Sequence, residues 1–172
     1  LKWEKYKNGI MRAAVKGNPV MDMLIVNGDL RSMARYPDYD KTAVRFNGTS
    51  ALATAPERVK KWKNPEGGYF HAMHSHDWGD FHYRITGKNE KGELQLEGGW
   101  QNNRPMGIHP ENRMVENIFE ELDAPGEWYY DKQEGWLYYY PLSDENINEL
   151  VFETPQLKNL IEIAGTSSHP VK

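Results

Sequence analysis

The sequence contains no cysteine, so neither disulfides nor thiolate-held metals contribute to the fold, and the redox compartment leaves no mark on the composition. Long apolar runs are missing as well. The longest, residues 23–26 and 136–140, cover four and five positions, where a membrane-spanning helix needs about 20. Nor is one sign of charge in excess: 21 Lys and Arg face 25 Asp and Glu, a net charge of −4, interspersed along the 172 residues. Without a basic stripe to follow a phosphate backbone, nucleic acid is excluded as an expected partner, and so is a membrane. No nucleophile elbow, phosphate-binding loop, dinucleotide fingerprint or Cys/His dyad occurs. Leu1 is not an initiating Met, and the first twenty residues hold no basic stretch followed by an apolar segment of leader length. The expectation is a piece of a longer protein.

What is abundant is aromatic: 10 Tyr, 6 Trp and 5 Phe, with many Asn, Gly and Pro. Such mixtures suit sheets joined by long loops. They also suit sugar binding, because a ring face covers the C–H side of a pyranose while amides and carboxylates take its hydroxyls. Most of these rings are expected in the core or in cross-strand pairs.

Two Asn-Gly pairs, Asn8-Gly9 and Asn27-Gly28, each sit between alternating segments and predict tight hairpins. Tyr36-Pro37-Asp38 ends regular structure, and a polar loop runs to about Ser50. Residues 54–63 predict a short helix capped by Thr54, with Pro56 in its first turn and Val59 and Trp62 on one side. Residues 68–73, 81–86 and 93–97 read as strands, and 98–110 as loop. Met114, Val115, Ile118, Phe119 and Leu122 give the stripe of a second helix with Glu116, Glu120 and Glu121 turned outward, stopped at Asp123-Ala-Pro125-Gly126. Residues 127–130 and 136–140 form a further hairpin, placing Trp128 with Tyr130 on one face and Trp136 with Tyr138 and Tyr140 on another. Strands at 151–154 and 160–163 close the list. With no βαβ alternation and no repeat, the fold expected is mainly β: an antiparallel, sandwich-like domain with one or two short helices.

Three groups of residues carry possible chemistry. His71, His74, His76 and His82 lie within twelve residues, and His74-x-His76 would put two imidazoles on one strand face, with Asp77 or Asp80 as a third ligand for a divalent ion. The alternative is hydrogen-bonding histidines in a polar loop, and neither a metal nor any other cofactor is expected. Glu116, Glu120, Glu121, Asp123 and Glu127 are dense enough to supply a glycosidase acid pair. Their ordinary explanation is a charged helix exterior, with Asp123 bonding amides at the bend before Pro125, and no residue is assigned a catalytic role. Gly98-Gly99-Trp100-Gln-Asn102-Asn103-Arg104 combines a mobile backbone, one large ring, amides and a guanidinium. Either Trp100 plugs the core and the amides tie the loop to itself, or the loop meets a ligand. The carbohydrate-contact candidates are therefore His74, His76, Trp78, Asp80, Trp100, Asn102, Asn103 and Arg104.

Read in order, Leu24-Ile-Val-Asn-Gly28, Met33-Ala-Arg-Tyr-Pro37, His76-Asp-Trp-Gly-Asp80, Glu116-Asn-Ile-Phe-Glu-Glu-Leu-Asp-Ala-Pro-Gly-Glu-Trp128 and Leu137-Tyr-Tyr-Tyr-Pro141 resemble the β-rich domain inserted into right-handed parallel β-helix proteins related to glycoside hydrolase family 141. The resemblance covers nearly the whole chain. It implies a β-rich insertion domain over residues 1–155, and over 156–172 the connection into a parallel β-helix that lies outside the chain. It further implies a secreted, periplasmic or cell-surface, often bacterial, glycan-degrading context. Catalytic carboxylates would sit on that β-helix, so no activity is expected of this chain alone. The partners implied are the missing β-helix and a polysaccharide or oligosaccharide, with the domain walling the substrate cleft through loops 74–80 and 98–105. Two alternatives remain: a free-standing carbohydrate-binding module, or a structural cap on the solenoid end. Burial of Trp78 and Trp100 would favour the cap.

Overall fold

The computed structural model describes residues 1–100, 107–157, 159–166 and 168–169. Both Asn-Gly hairpins form as their turn chemistry requires. β1 (Trp3–Lys7) and β2 (Ile10–Ala14) meet through Asn8 and Gly9 at φ 51° and 85°, and β3 (Leu24–Val26) and β4 (Asp29–Met33) through Asn27 and Gly28 at φ 51° and 86°. These are left-handed values that most side chains resist. The chain continues through β5 (Arg35–Tyr36), a 3-10 turn at Ala51–Thr54, the single-turn helix α1 (Pro56–Val59), β6 (Tyr69–His74), β7 (Asp80–Lys88), β8 (Leu94–Gly98) and β9 (Ile108–Glu116). It ends with β10 (Glu127–Asp131), β11 (Trp136–Tyr139) and β12 (Phe152–Glu153). The fold is mainly β, with two sheets and almost no helix, as expected.

One sheet has seven strands in the order β1-β2-β11-β10-β4-β3-β12, and the other has five in the order β5-β9-β6-β7-β8. The segment running from β4 into β5 joins them. Met33 pairs with Trp128 of β10, Arg35 pairs with Glu116 of β9, and the fully buried Ala34 between them donates its N–H to the Trp128 carbonyl and accepts from Ile118. The β4–β10 pairing is parallel, a departure from the purely antiparallel expectation.

Each sheet has its own core. Leu24, Val26, Trp128, Tyr130, Leu137, Tyr139 and Ile147 cluster on the seven-stranded sheet, and Val59, Trp62, Phe70, Ala72, Ile85, Val115 and Ile118 beneath the five-stranded one. Residues 51–62 cover that second core. Their helix is shorter than expected and its cap differs, because Ser50, not Thr54, accepts from a backbone amide, that of Leu52, while Ala55 precedes α1 without a side-chain cap. Trp62 is fully buried and its Nε1–H donates to Glu121 at 2.6 Å, while Arg58 pairs with the other oxygen of the same carboxylate at 2.6 Å.

The helix expected over 114–122 is absent. Residues 114–116 finish β9, Asn117 takes φ 57°, and only a 3-10 turn, Phe119–Glu121, follows. An apolar stripe spaced by four also fits a strand running into a turn, and pairing with β6 and β5 satisfies more backbone groups than an isolated two-turn helix could. Glu121 accordingly points inward rather than to solvent. Residues 160–163 form no strand; they carry no regular structure, with Leu160, Ile161 and Ile163 exposed. The bend at 123–126 is served not by Asp123 but by Glu127, whose Oε2 accepts from the amides of Asp123 and Ala124, both at 3.3 Å.

Candidate functional site

The hairpin of β6 and β7 is symmetrical about residues 74–79, so that His71 lies opposite His82 and Met73 opposite Asp80. Strand alternation buries Phe70, Ala72 and His74 on one side and leaves Tyr69, His71 and Met73 on the other. β9 adds Glu116, which pairs with Tyr69 two register positions away from the Met114–His71 pair and so shares its face. A continuous polar chain results. Glu116 Oε1 lies 3.1 Å from His71 Nε2, His71 Nδ1 lies 2.6 Å from His82 Nδ1, and His82 Nε2 lies 3.3 Å from Asp80 Oδ1.

A loop covers part of this face. The buried Arg35 donates to the carbonyls of Pro37 and Phe46, both at 2.7 Å, and Gly48 at 3.1 Å, holding residues 37–48 against the sheet. Gly48 has φ 128°, and a Cβ there would meet the Asp38 carbonyl at 2.9 Å, so the tight return needs glycine. Phe46 thereby rests on both imidazoles, with ring centroids 6.1 Å from His71 and 6.3 Å from His82. For Glu116, burial opposes ionisation, but the His71 hydrogen bond and the positive charges of His71, Arg35 and His82 outweigh it and hold the carboxyl below its ordinary range.

The sequence-nominated residues divide. His74-x-His76 does not share a face: β6 ends at His74, whose buried ring packs on Phe81 at 4.6 Å and faces Gly79, while His76 is exposed beyond a turn that places Asp77 at φ 54°. Asp77 is occupied by Asn112 at 3.2 Å and Arg45 at 3.7 Å. Trp78 and Trp100 are 71% and 84% exposed, so Trp100 does not plug the core. Register sets both at one end of the five-stranded sheet, since Gly98 pairs with Tyr83 and Gly99 donates to the His82 carbonyl, next to the β6–β7 turn that carries Trp78. Asp80 lies at that end too and joins the polar chain. Asn102, Asn103 and Arg104 lie outside the described residues. Glu116 belongs to the acidic run that the sequence suggested as a helix exterior; His71 and His82 belong to the histidine cluster but not to the carbohydrate-contact candidates, and Phe46 carried no assignment. The hairpin's symmetry was the available signal for the His71–His82 pair.

A cleft of about 930 Å3 lies elsewhere, where the two sheets meet, and Tyr69, Arg84, Asn117, Phe119, Glu120 and Tyr129 line part of it. Its mixture of rings, amide, carboxylate and guanidinium suits a polar ligand with apolar faces. Among the described residues, no group of three or more His, Asp or Glu side chains is arranged to hold a metal ion, and no helix is long and apolar enough to cross a membrane.

No known protein-family profile matches this chain, and no curated protein matches it. A solved structure does. The chain shares its fold with a domain of a protein named "Glycoside hydrolase", at a TM-score of 0.67 and 21% identity, over 99% of this chain and 33% of that one. This chain thus spans a third of that protein's length, and at that identity the likeness establishes the fold alone.

Proposed function

We propose that this chain is an accessory, non-catalytic domain of a secreted glycoside hydrolase whose catalytic part is a parallel β-helix related to family 141, and that it walls the substrate cleft. The observation that carries the reading is the coverage: this fold, end to end, makes up one third of a longer protein named for glycan hydrolysis. Two further features support it. Trp3 of β1 and Phe152 of β12 pack at a tilt of 45° with centroids 4.7 Å apart, which brings first and last strands together as an inserted domain requires. Beyond them Leu157, Leu160, Ile161 and Ile163 stand 74%, 91%, 80% and 73% exposed, apolar surface fit for burial in the coils of a neighbouring β-helix.

In this reading Trp78 and Trp100 offer ring faces to sugar residues remote from the bond that is broken, contributing affinity and substrate choice rather than chemistry. The exposure of both rings also favours a second reading, a free-standing carbohydrate-binding module, and disfavours a purely structural cap. The test is a panel of polysaccharides offered to the isolated chain. An accessory domain gives no hydrolysis and millimolar saccharide affinity that Trp100→Ala abolishes without unfolding; micromolar affinity lost in the same variant supports the module instead. Turnover of any glycan by this chain alone overturns both.

A further inference from the structure

Strand alternation gives the seven-stranded sheet a second face. Tyr129 pairs with Tyr138 across β10 and β11, and Asp131 with Trp136 two positions along, so all four project away from the core that holds Trp128 and Leu137. Phe119 fixes the two tyrosine rings, with centroids 5.2 Å from Tyr129 and 4.9 Å from Tyr138. On the other sheet Tyr69 and Arg84 are directly paired. These side chains line the cleft of about 930 Å3, and much of the remaining lining comes from segments 18–22, 63–67 and 131–134.

The polar groups of the cleft carry both signs of charge and are not all engaged. Five carboxylates and three cationic side chains line it. Among the described residues, neither the Arg84 guanidinium nor the hydroxyls of Tyr69 and Tyr129 have a hydrogen-bond partner. Burial and the charges of Asp131 and Glu120 push the Tyr129 hydroxyl up to about 12, so it stays a neutral donor in the field of two carboxylates. A ligand group that uses such a lining must both donate and accept. A hydroxyl does so, whereas an anionic group would accept from Arg84 yet face an excess of carboxylates.

We propose that this cleft is a binding site for a short, uncharged oligosaccharide, with Tyr69 from one sheet and Tyr129 from the other covering its C–H faces and Arg84 and the Tyr129 hydroxyl bonding its hydroxyls. The rings supply apolar contact without charge. The volume lies towards the upper end of the range of about 300–1,000 Å3 for small-ligand sites, which suits a few sugar units. A lining drawn from both sheets and three connecting segments admits a short oligosaccharide or a chain end rather than the middle of a polymer. The site is separate from the exposed tryptophans: it lies at the end of the β6–β7 hairpin opposite the turn that carries Trp78, and Trp100 does not line it.

The choice of a glycan as ligand rests on the accessory-domain reading; the place and polarity of the site do not. The experiment is calorimetric titration of the full chain with cellotriose, xylotriose, mannotriose and trigalacturonate. A neutral trimer is expected to bind once per chain, about tenfold more tightly than trigalacturonate. Tyr129→Phe keeps the ring and removes the unpartnered hydroxyl, weakening the trimer about fivefold, and Arg84→Gln weakens it about tenfold. Thermal unfolding of both variants checks that the ring packing is intact. Trp100→Ala leaves trimer binding unchanged while abolishing retention of polysaccharide, which offers few chain ends to the cleft. Trimer binding that ignores Tyr129→Phe and Arg84→Gln, or that is lost in Trp100→Ala, overturns the site and leaves the glycan reading standing. So does the absence of trimer binding where polysaccharide is still held through Trp100. Tighter binding of trigalacturonate overturns the assignment to uncharged sugars, and binding of neither trimer nor polymer removes this site and the glycan reading together.

Discussion

The β10–β11 hairpin and the end of the five-stranded sheet near the β6–β7 turn both carry tryptophan and treat it in opposite ways. In the first, Trp128, Tyr130, Leu137 and Tyr139 share one face and fill a core, while Tyr129, Trp136 and Tyr138 pack on the other with Tyr6 and Phe119. Strands on both sides, β4 and β2, leave those rings nowhere else to go. In the second, Trp78 and Trp100 are 71% and 84% exposed, one in a turn and the other just past a strand end. The same side chain is buried in one place and exposed in the other, and its place relative to the paired strands separates the two.

Substitutions sharpen that contrast, the largest first. Trp128→Ala removes a ring that is 1% exposed and hydrogen-bonded through Nε1 to the Arg31 carbonyl at 3.1 Å; denaturant unfolding is expected to record a loss of about 4 kcal/mol. Glu121→Ala strands the buried Trp62 N–H and frees Arg58, and about 3 kcal/mol is expected by the same measurement. A loss under about 1 kcal/mol would mean that solvent reaches the Trp62 indole.

Glu127 gives a pH-dependent version of the same contrast. Burial raises its carboxyl from 4.5 to about 8, against the opposing amides of Ala124 and Asp123. The fold therefore favours the neutral acid. That contribution is complete below the ordinary value near 4.5 and declines as pH rises towards 8, with a slope of at most about 1.4 kcal/mol per pH unit. Glu127→Gln, which stays neutral, should flatten the fall in Tm between about pH 5 and pH 8; equal slopes in both proteins would show that solvent reaches the carboxyl. The smallest effect belongs to the exposed rings. Trp78→Ala and Trp100→Ala should each change stability by less than about 0.5 kcal/mol while lowering saccharide affinity, and a stability loss as large as that of Trp128→Ala would erase the distinction between the two regions.

Local signals account for what the chain reveals unaided. Asn8-Gly9 and Asn27-Gly28 specify their hairpins because the left-handed conformation is a property of those residues and not of distant contacts. The alternation of residues 127–140 likewise fixed which rings share a face. Where the signal was periodicity without length, it misled: residues 114–122 carry a stripe compatible with helix, yet Asn117 breaks it and β5 and β6 claim the preceding strand. Residues 98–110 read as loop, although β9 begins at Ile108 and accommodates Pro110 in a bulge opposite Ala72 and His74. Of the candidate site, the exposed rings near residues 78 and 100 were legible as a pair of flexible polar segments. Glu116 beside His71 was not, since 45 residues separate them.

By itself the sequence determined a mainly β domain, its two tight hairpins and its aromatic character, because propensity, turn chemistry and alternation act over a few residues. Only the tertiary structure decided that β4 pairs in parallel with β10, that Glu121 and Glu127 face inward, and that two imidazoles from one hairpin meet between two carboxylates. Those outcomes depend on which strand edges find each other, and the free energy of pairing and burial that selects among edges is shared across the whole fold rather than written in any one segment.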